Sequence, residues 1–152
     1  MTQTQAQPTV KLGTVTWVDL TVANAPEVRD FYEAVVGWTP REVDMGDYAD
    51  FEMLPPAGNA SESADGAAGD GNSSTGTSSV PKAAAAAGVC HARGGNAKLP
   101  PQWIIYVPVA DLARSLYACE RLGGKIVHRL SAHYVLIQDP AGAVMMLYQA
   151  EA

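Results

Sequence analysis

Basic side chains are scarce in this chain. Ten Lys and Arg stand against sixteen Asp and Glu, a formal net charge of −6 over 152 residues, and no Lys/Arg cluster is visible. Nucleic acid or an anionic membrane as main partner calls for such a cluster, so neither is expected. Long apolar runs are missing too. The one unbroken run of small apolar residues, 83–87, is far too short to span a bilayer. The opening MTQTQAQPTVKLG has no apolar signal core, which points to a cytoplasmic protein. There are only two cysteines, Cys90 and Cys119, without CxxC spacing. Reduced, buried thiols are expected, with a disulfide between them as the alternative. GxGxxG, Walker-type, GxSxG, HExxH and paired CxxC motifs are all absent, so the familiar nucleotide, hydrolase and zinc sites have no foothold.

What the chain does have is apolar content, 47% of residues, enough for a globular interior. It also carries an internal likeness. Sliding residues 15–38 onto 103–125 puts Val22 on Val109, Asn24 on Asp111 and Gly37 on Gly124. Each copy reads as a strand, a helix opened by Asn or Asp, and a glycine turn into another strand. Two copies at long spacing make a paired unit rather than a solenoid, and a pair can enclose a cleft.

Alternation and turn residues extend the pattern. Strands are expected over 14–22, 38–44, 48–54 and 88–92, then 103–109, 125–130, 134–138 and 143–149. The first helix starts at Asn24, with Pro26 and Glu27 in its first turn and a stripe of Val28, Phe31, Tyr32, Val35 and Val36. The second starts at Asp111, with Leu112, Leu116, Cys119 and Leu122 in line, and ends at Gly123-Gly124. Asp139 to Gly142 is a turn by composition. Each half is therefore β-α-β-β-β. The expected layout is a tail over 1–12, a first unit over 13–93, a linker over 94–101 and a second unit over 102–150. Residues 56–86 are small and polar, too poor in large apolar side chains to offset ordering entropy. They form a low-complexity insertion in the first unit.

The β-α-β-β-β order read twice, FYEAVVGW after the first helix and DPAGAVMMLYQ at the end together resemble the glyoxalase, bleomycin-resistance and extradiol-dioxygenase family, also called the vicinal oxygen chelate superfamily. The likeness spans the chain apart from the tail and the insertion. It implies an α+β fold whose two units pair into curled mixed sheets around a cleft, and it implies a homodimer. Metal-dependent members hold a divalent ion with His, Glu or Gln from four strands. Carried over, those positions fall on Trp17, Ile104 and Met146, with His91 as the fourth when GVCH is aligned with AVMM. One imidazole and three apolar side chains cannot hold Mn, Fe, Ni or Zn. Neither a metal nor another cofactor is expected, and fold alone does not carry the chemistry over.

The candidate residues are few. Asp19 shares a strand face with Trp17 and Thr21, where a carboxylate on a partly apolar wall can serve as general base or accept a ligand hydrogen bond. The plain alternative is a hydrogen-bonded strand Asp. His91 is the second acid/base candidate, against a structural His. Glu52 is a candidate ligand contact if strand register turns it inward. His128 and His133 read as surface histidines. Trp17, Ile104, Tyr106, Met146 and Tyr148 fall on faces that would make an aromatic, apolar pocket, or fill a core. Three readings follow: a metal-independent binder of a small organic ligand; a lyase- or isomerase-type enzyme using Asp19 or His91; and a scaffold recruiting a partner through 56–86.

Overall fold

The structure is a computed structural model that describes residues 10–57 and 84–151. Most of the expected 56–86 insertion, and most of the N-terminal tail, lie outside the described residues. The described residues are α+β, with two α-helices and eight strands in one mixed sheet. In order come β1 (Trp17–Val22), α1 (Ala25–Val36), β2 (Thr39–Asp44), β3 (Ala49–Leu54) and β4 (Ala87–His91). After a short 3-10 turn at Gly94–Asn96 come β5 (Trp103–Val109), α2 (Leu112–Arg121), β6 (Lys125–Arg129), β7 (Tyr134–Gln138) and β8 (Val144–Gln149).

The sheet runs β2-β3-β4-β1-β5-β8-β7-β6. Within each half the first strand takes the last as its parallel neighbour, β1 with β4 and β5 with β8. The halves meet where β1 and β5 pair antiparallel, Trp17 opposite Tyr106 and Asp19 opposite Ile104. Strand alternation gives the sheet two faces of different character. One face carries both helices. Ala25 of α1 packs with Phe51, Met53 and Val89 of the sheet, closed by Val22, Tyr32, Trp38 and Trp103. Leu112 and Leu116 of α2 pack with Val135 and Leu147. The opposite face holds Leu99, Ile104, Leu136 and Met146 in its second half and polar side chains in its first.

Only part of the expected stripe of α1 is used. Val28 and Tyr32 pack against the core, and the Tyr32 hydroxyl accepts from Trp103 Nε1 at 3.2 Å. Phe31 lies roughly a quarter turn round the helix from that contact line and stays 56% exposed. Val35 and Val36 in the last turn are exposed as well, as is Leu122 after α2. The helix ends follow local chemistry more closely. Gly37 closes α1 in the left-handed region, φ 81°, which glycine adopts without steric cost. Asp139 Oδ1 accepts from Ala141 N and Ala143 N, at 2.8 and 3.1 Å, and so builds the turn into β8. Gln149 then ties β8 to the start of α2 by accepting from Leu112 N at 2.8 Å and donating to Ala110 O at 2.7 Å.

The two helix starts differ. Asp111 caps α2 by accepting from Arg114 N at 2.9 Å. Asn24 occupies the same position on α1 but makes no side-chain cap bond, and its amide turns to Glu27 instead. Pro26 has removed one of the two N–H groups such a cap would use. Asp111→Ala is therefore expected to cost about 1 kcal/mol and Asn24→Ala clearly less, read from denaturant unfolding. Equal losses would contradict this difference between the caps.

Candidate functional site

The two central strands bring their face opposite the helices into one place. On β1, Trp17 and Asp19 point to it; across the seam on β5, Tyr106 and Ile104; beyond, on β8, Met146 opposite Tyr106 and Tyr148 opposite Pro108; on β7, Tyr134 opposite Tyr148. A cavity of about 390 Å³ opens there, lined by Thr16, Trp17, Asp19, Tyr106, Tyr134 and Tyr148. The Tyr134 and Tyr148 rings stack at 5.2 Å with 12° between their planes, and Tyr106 meets Tyr134 edge-on at 6.3 Å. The hydroxyls of Thr16 and Tyr148 are hydrogen-bonded at 2.8 Å. Ile104 and Met146 are wholly buried and form the apolar packing of this face rather than the cavity wall. A second depression of about 400 Å³ shares Tyr134 and Tyr148 but is lined otherwise by Val10, His133 and the 149–151 end. It contains no buried ionisable group, so the candidate site is the one that reaches Asp19.

Asp19 is partly buried, and burial pushes its carboxyl above the ordinary value of 3.8. Two neutral donors oppose that shift. The Cys90 thiol donates to Oδ1 at 3.3 Å and the Tyr106 hydroxyl to Oδ2 at 3.4 Å. The nearby Asp50 carboxylate reinforces the rise. Burial, with Asp19 and Asp50, pushes the Cys90 thiol up, and burial, with Asp19, pushes the Tyr106 phenol up. Each therefore stays neutral and a donor at physiological pH. Cys90 is thus not a nucleophile. Both cysteines are free thiols, but each is half-buried rather than buried as expected.

His91 does not join this group. The register sets Asp19 beside Gly88 and Thr21 beside Cys90, which leaves His91 beside Val22 on the helix-bearing face. There its ring meets Tyr48 at 5.2 Å and Phe51 at 6.2 Å. Its Nδ1 and backbone N both lie on Asp50 Oδ1, at 3.1 and 2.8 Å. His91 is thus held by Asp50 and is not among the residues that line the cavity with Asp19. Glu52 does lie on the face of Asp19, in the row Glu52, Gly88, Asp19, but it is held by Arg41, whose Nε donates at 2.8 Å.

The same register revises the fourth position of the carried-over metal set. Tyr106 is the counterpart of Asp19 in the second half, and its parallel neighbour is Met146. The parallel neighbour of Asp19 is Gly88. Gly88, not His91, therefore matches Met146. Trp17, Ile104, Met146 and Gly88 offer no metal donor at all, and the residues do not fit a divalent ion. Among the described residues, no three His, Cys, Asp or Glu side chains gather elsewhere in a metal-binding group. Gly88 is bare for a steric reason. A Cβ there would run into Asp19 Oδ1 and would come within 3.1 Å of the Trp17 ring. The Asp19 carboxylate fills the space that a β4 side chain would otherwise occupy.

Thr16 and Tyr134 are cavity residues that sequence reasoning missed. Thr16 precedes β1, which begins at Trp17, so strand alternation does not reach it. Tyr134 is exposed by register with Tyr148, and strand spacing alone does not give register. His128 bonds the Gly95 carbonyl at 3.2 Å and His133 is exposed. Among the described residues no helix is long and apolar enough to cross a membrane. No known family model matches the chain, and no curated protein matches it significantly.

If Asp19 fills the space over Gly88, the two positions must be coupled. Gly88→Ala should destabilise the chain by about 1–3 kcal/mol through overpacking, and by less in an Asp19→Ala background, where only Trp17 is crowded. A double-mutant cycle on denaturant unfolding measures the coupling. The same cost in both backgrounds would show that Asp19 does not lie over Gly88.

Proposed function

We propose that this chain is a glyoxalase-like binding protein that takes up a small organic ligand without a metal. The observation that carries this reading is the cavity over the β1–β5 seam, where aromatic side chains from both halves surround one partly buried carboxylate. Its volume and its make-up, mostly aromatic with a few placed polar groups, are those of a small-molecule site. Trp17, Tyr106, Tyr134 and Tyr148 would bury the ligand's apolar surface; Asp19 and Thr16 would orient it. The β-α-β-β-β order in each half and the parallel closure of first strand on last support a glyoxalase-like pairing of two curled units around a cleft. A homodimer in the cytoplasm, engaging neither nucleic acid nor membrane, completes the proposal. The acidic charge favours the last part.

One observation favours a second reading, an acid–base enzyme of lyase or isomerase type. The Asp19 carboxyl is raised in a cavity, which moves it toward the range where a carboxyl can exchange protons during turnover. Asp19 rather than His91 carries that version, because the His91 ring is engaged with Asp50 and is not among the residues lining the cavity. A scaffold role for 56–86 rests on residues mostly outside the described ones and gains no support from the described part of the chain.

A ligand-observed NMR screen of aromatic fragments tests the binding reading. Hits should compete with one another and be lost or strongly weakened in Trp17→Ala and in Tyr148→Ala, while both variants keep the wild-type fold by circular dichroism. Hits untouched by either substitution, or none at all, would contradict a ligand site at this seam.

A further inference from the structure

The chemistry of the cavity narrows the ligand, given that the cavity is a binding site as proposed above. Three other carboxylates among the described residues lie against an arginine, Glu52 on Arg41, Asp47 on Arg93 and Asp30 on Arg29, and Asp50 lies against the His91 ring. Asp19 is different. Among the described residues no Lys, Arg or His side chain forms an ion pair with it, and its side-chain partners are one thiol and one phenol at long distances. A partly buried carboxylate that lacks a counter-charge is costly, and the cost is removed when a cation arrives beside it. Asp50, close enough to act on Asp19, adds negative charge on the same side. The remaining wall is aromatic, and the faces of Tyr and Trp rings attract cations. An anionic ligand would meet the Asp19 carboxylate, and a neutral one would leave Asp19 uncompensated.

We infer that the ligand is a small organic cation, with an ammonium group set against Asp19 and its carbon body packed on Trp17, Tyr106, Tyr134 and Tyr148. The phenol oxygens of Tyr106 and Tyr148 can accept further N–H bonds from a primary or secondary amine. The negative wall also excludes carboxylates and phosphates, so the selectivity is one of charge first and shape second.

Three probes that share one aromatic body and differ in charge separate the possibilities: phenethylamine, 2-phenylethanol and phenylacetate, titrated calorimetrically into the full chain at neutral pH. The amine should bind about tenfold or more tighter than the alcohol, with phenylacetate weakest. Asp19→Asn, which keeps the shape and removes the charge, should bring the amine level with the alcohol. Tyr148→Ala should weaken both and leave their ratio nearly unchanged. Equal binding of amine and alcohol to the wild-type chain, or a preference that survives Asp19→Asn, would overturn the cation while leaving the cavity as a binding site. Failure of all three probes to bind would overturn the cavity reading and the cation with it.

Discussion

One pairing governs this structure: the antiparallel seam of β1 on β5. It joins the two halves into a single sheet and sets Trp17 against Tyr106 and Asp19 against Ile104. Because β4 and β8 lie parallel to these two strands, the same register also sets Gly88 beside Asp19 and Met146 beside Tyr106. A slip of one residue would turn every one of these side chains to the opposite face. The helices would then meet Asp19 and the tyrosines, while Val18 and Ile105 would take the cavity. Large apolar clusters under both helices hold the register against that outcome.

Within the seam, Asp19 balances two opposed effects. Burial penalises its charge, and a thiol and a phenol offset the penalty only in part, since both are weak neutral donors at long range. Among the described residues no Lys or Arg side chain pairs with it; Arg41 lies on Glu52, and the His91 ring lies on Asp50. The outcome is an acidic group at the floor of an aromatic cavity rather than a metal centre. The positions where a metal-dependent member of the family the sequence resembles would place donors hold Trp17, Ile104, Met146 and Gly88. The glycine is there because the carboxylate lies over it.

Much of the fold was legible in the sequence, for identifiable reasons. Period-two alternation located the eight strands, and 103–109 and 134–138 match β5 and β7 residue for residue. Asp111, Gly37 and the Asp139 turn each act through a local hydrogen bond or backbone conformation that a few adjacent residues determine. The candidate site was legible only in part. Strand alternation, which is local, groups Trp17 with Asp19, Tyr106 with Ile104 and Tyr148 with Met146, and the resemblance pointed to these faces as the cavity side. What failed depended on how strands align with one another. The alignment of GVCH with AVMM put His91 where Gly88 belongs, and Tyr134 was missed because its neighbour Tyr148 lies on another strand. Phe31 and Val35 were read as core because they repeat at helical spacing, but the sheet covers only the line through Ala25, Val28 and Tyr32.

The account stands or falls on a carboxylate that is short of compensation in the folded chain, and its titration reads this directly. Carboxyl carbon-13 NMR of the ligand-free protein should give Asp19 a midpoint above 3.8. A folded-state value raised above the unfolded one means that the folded chain binds the proton more tightly. The stability this adds is then whole below about 3.8 and lost as pH rises through the Asp19 midpoint. A midpoint at or below 3.8 would mean that Asp19 is fully solvated or already paired with a cation, and would contradict the central claim.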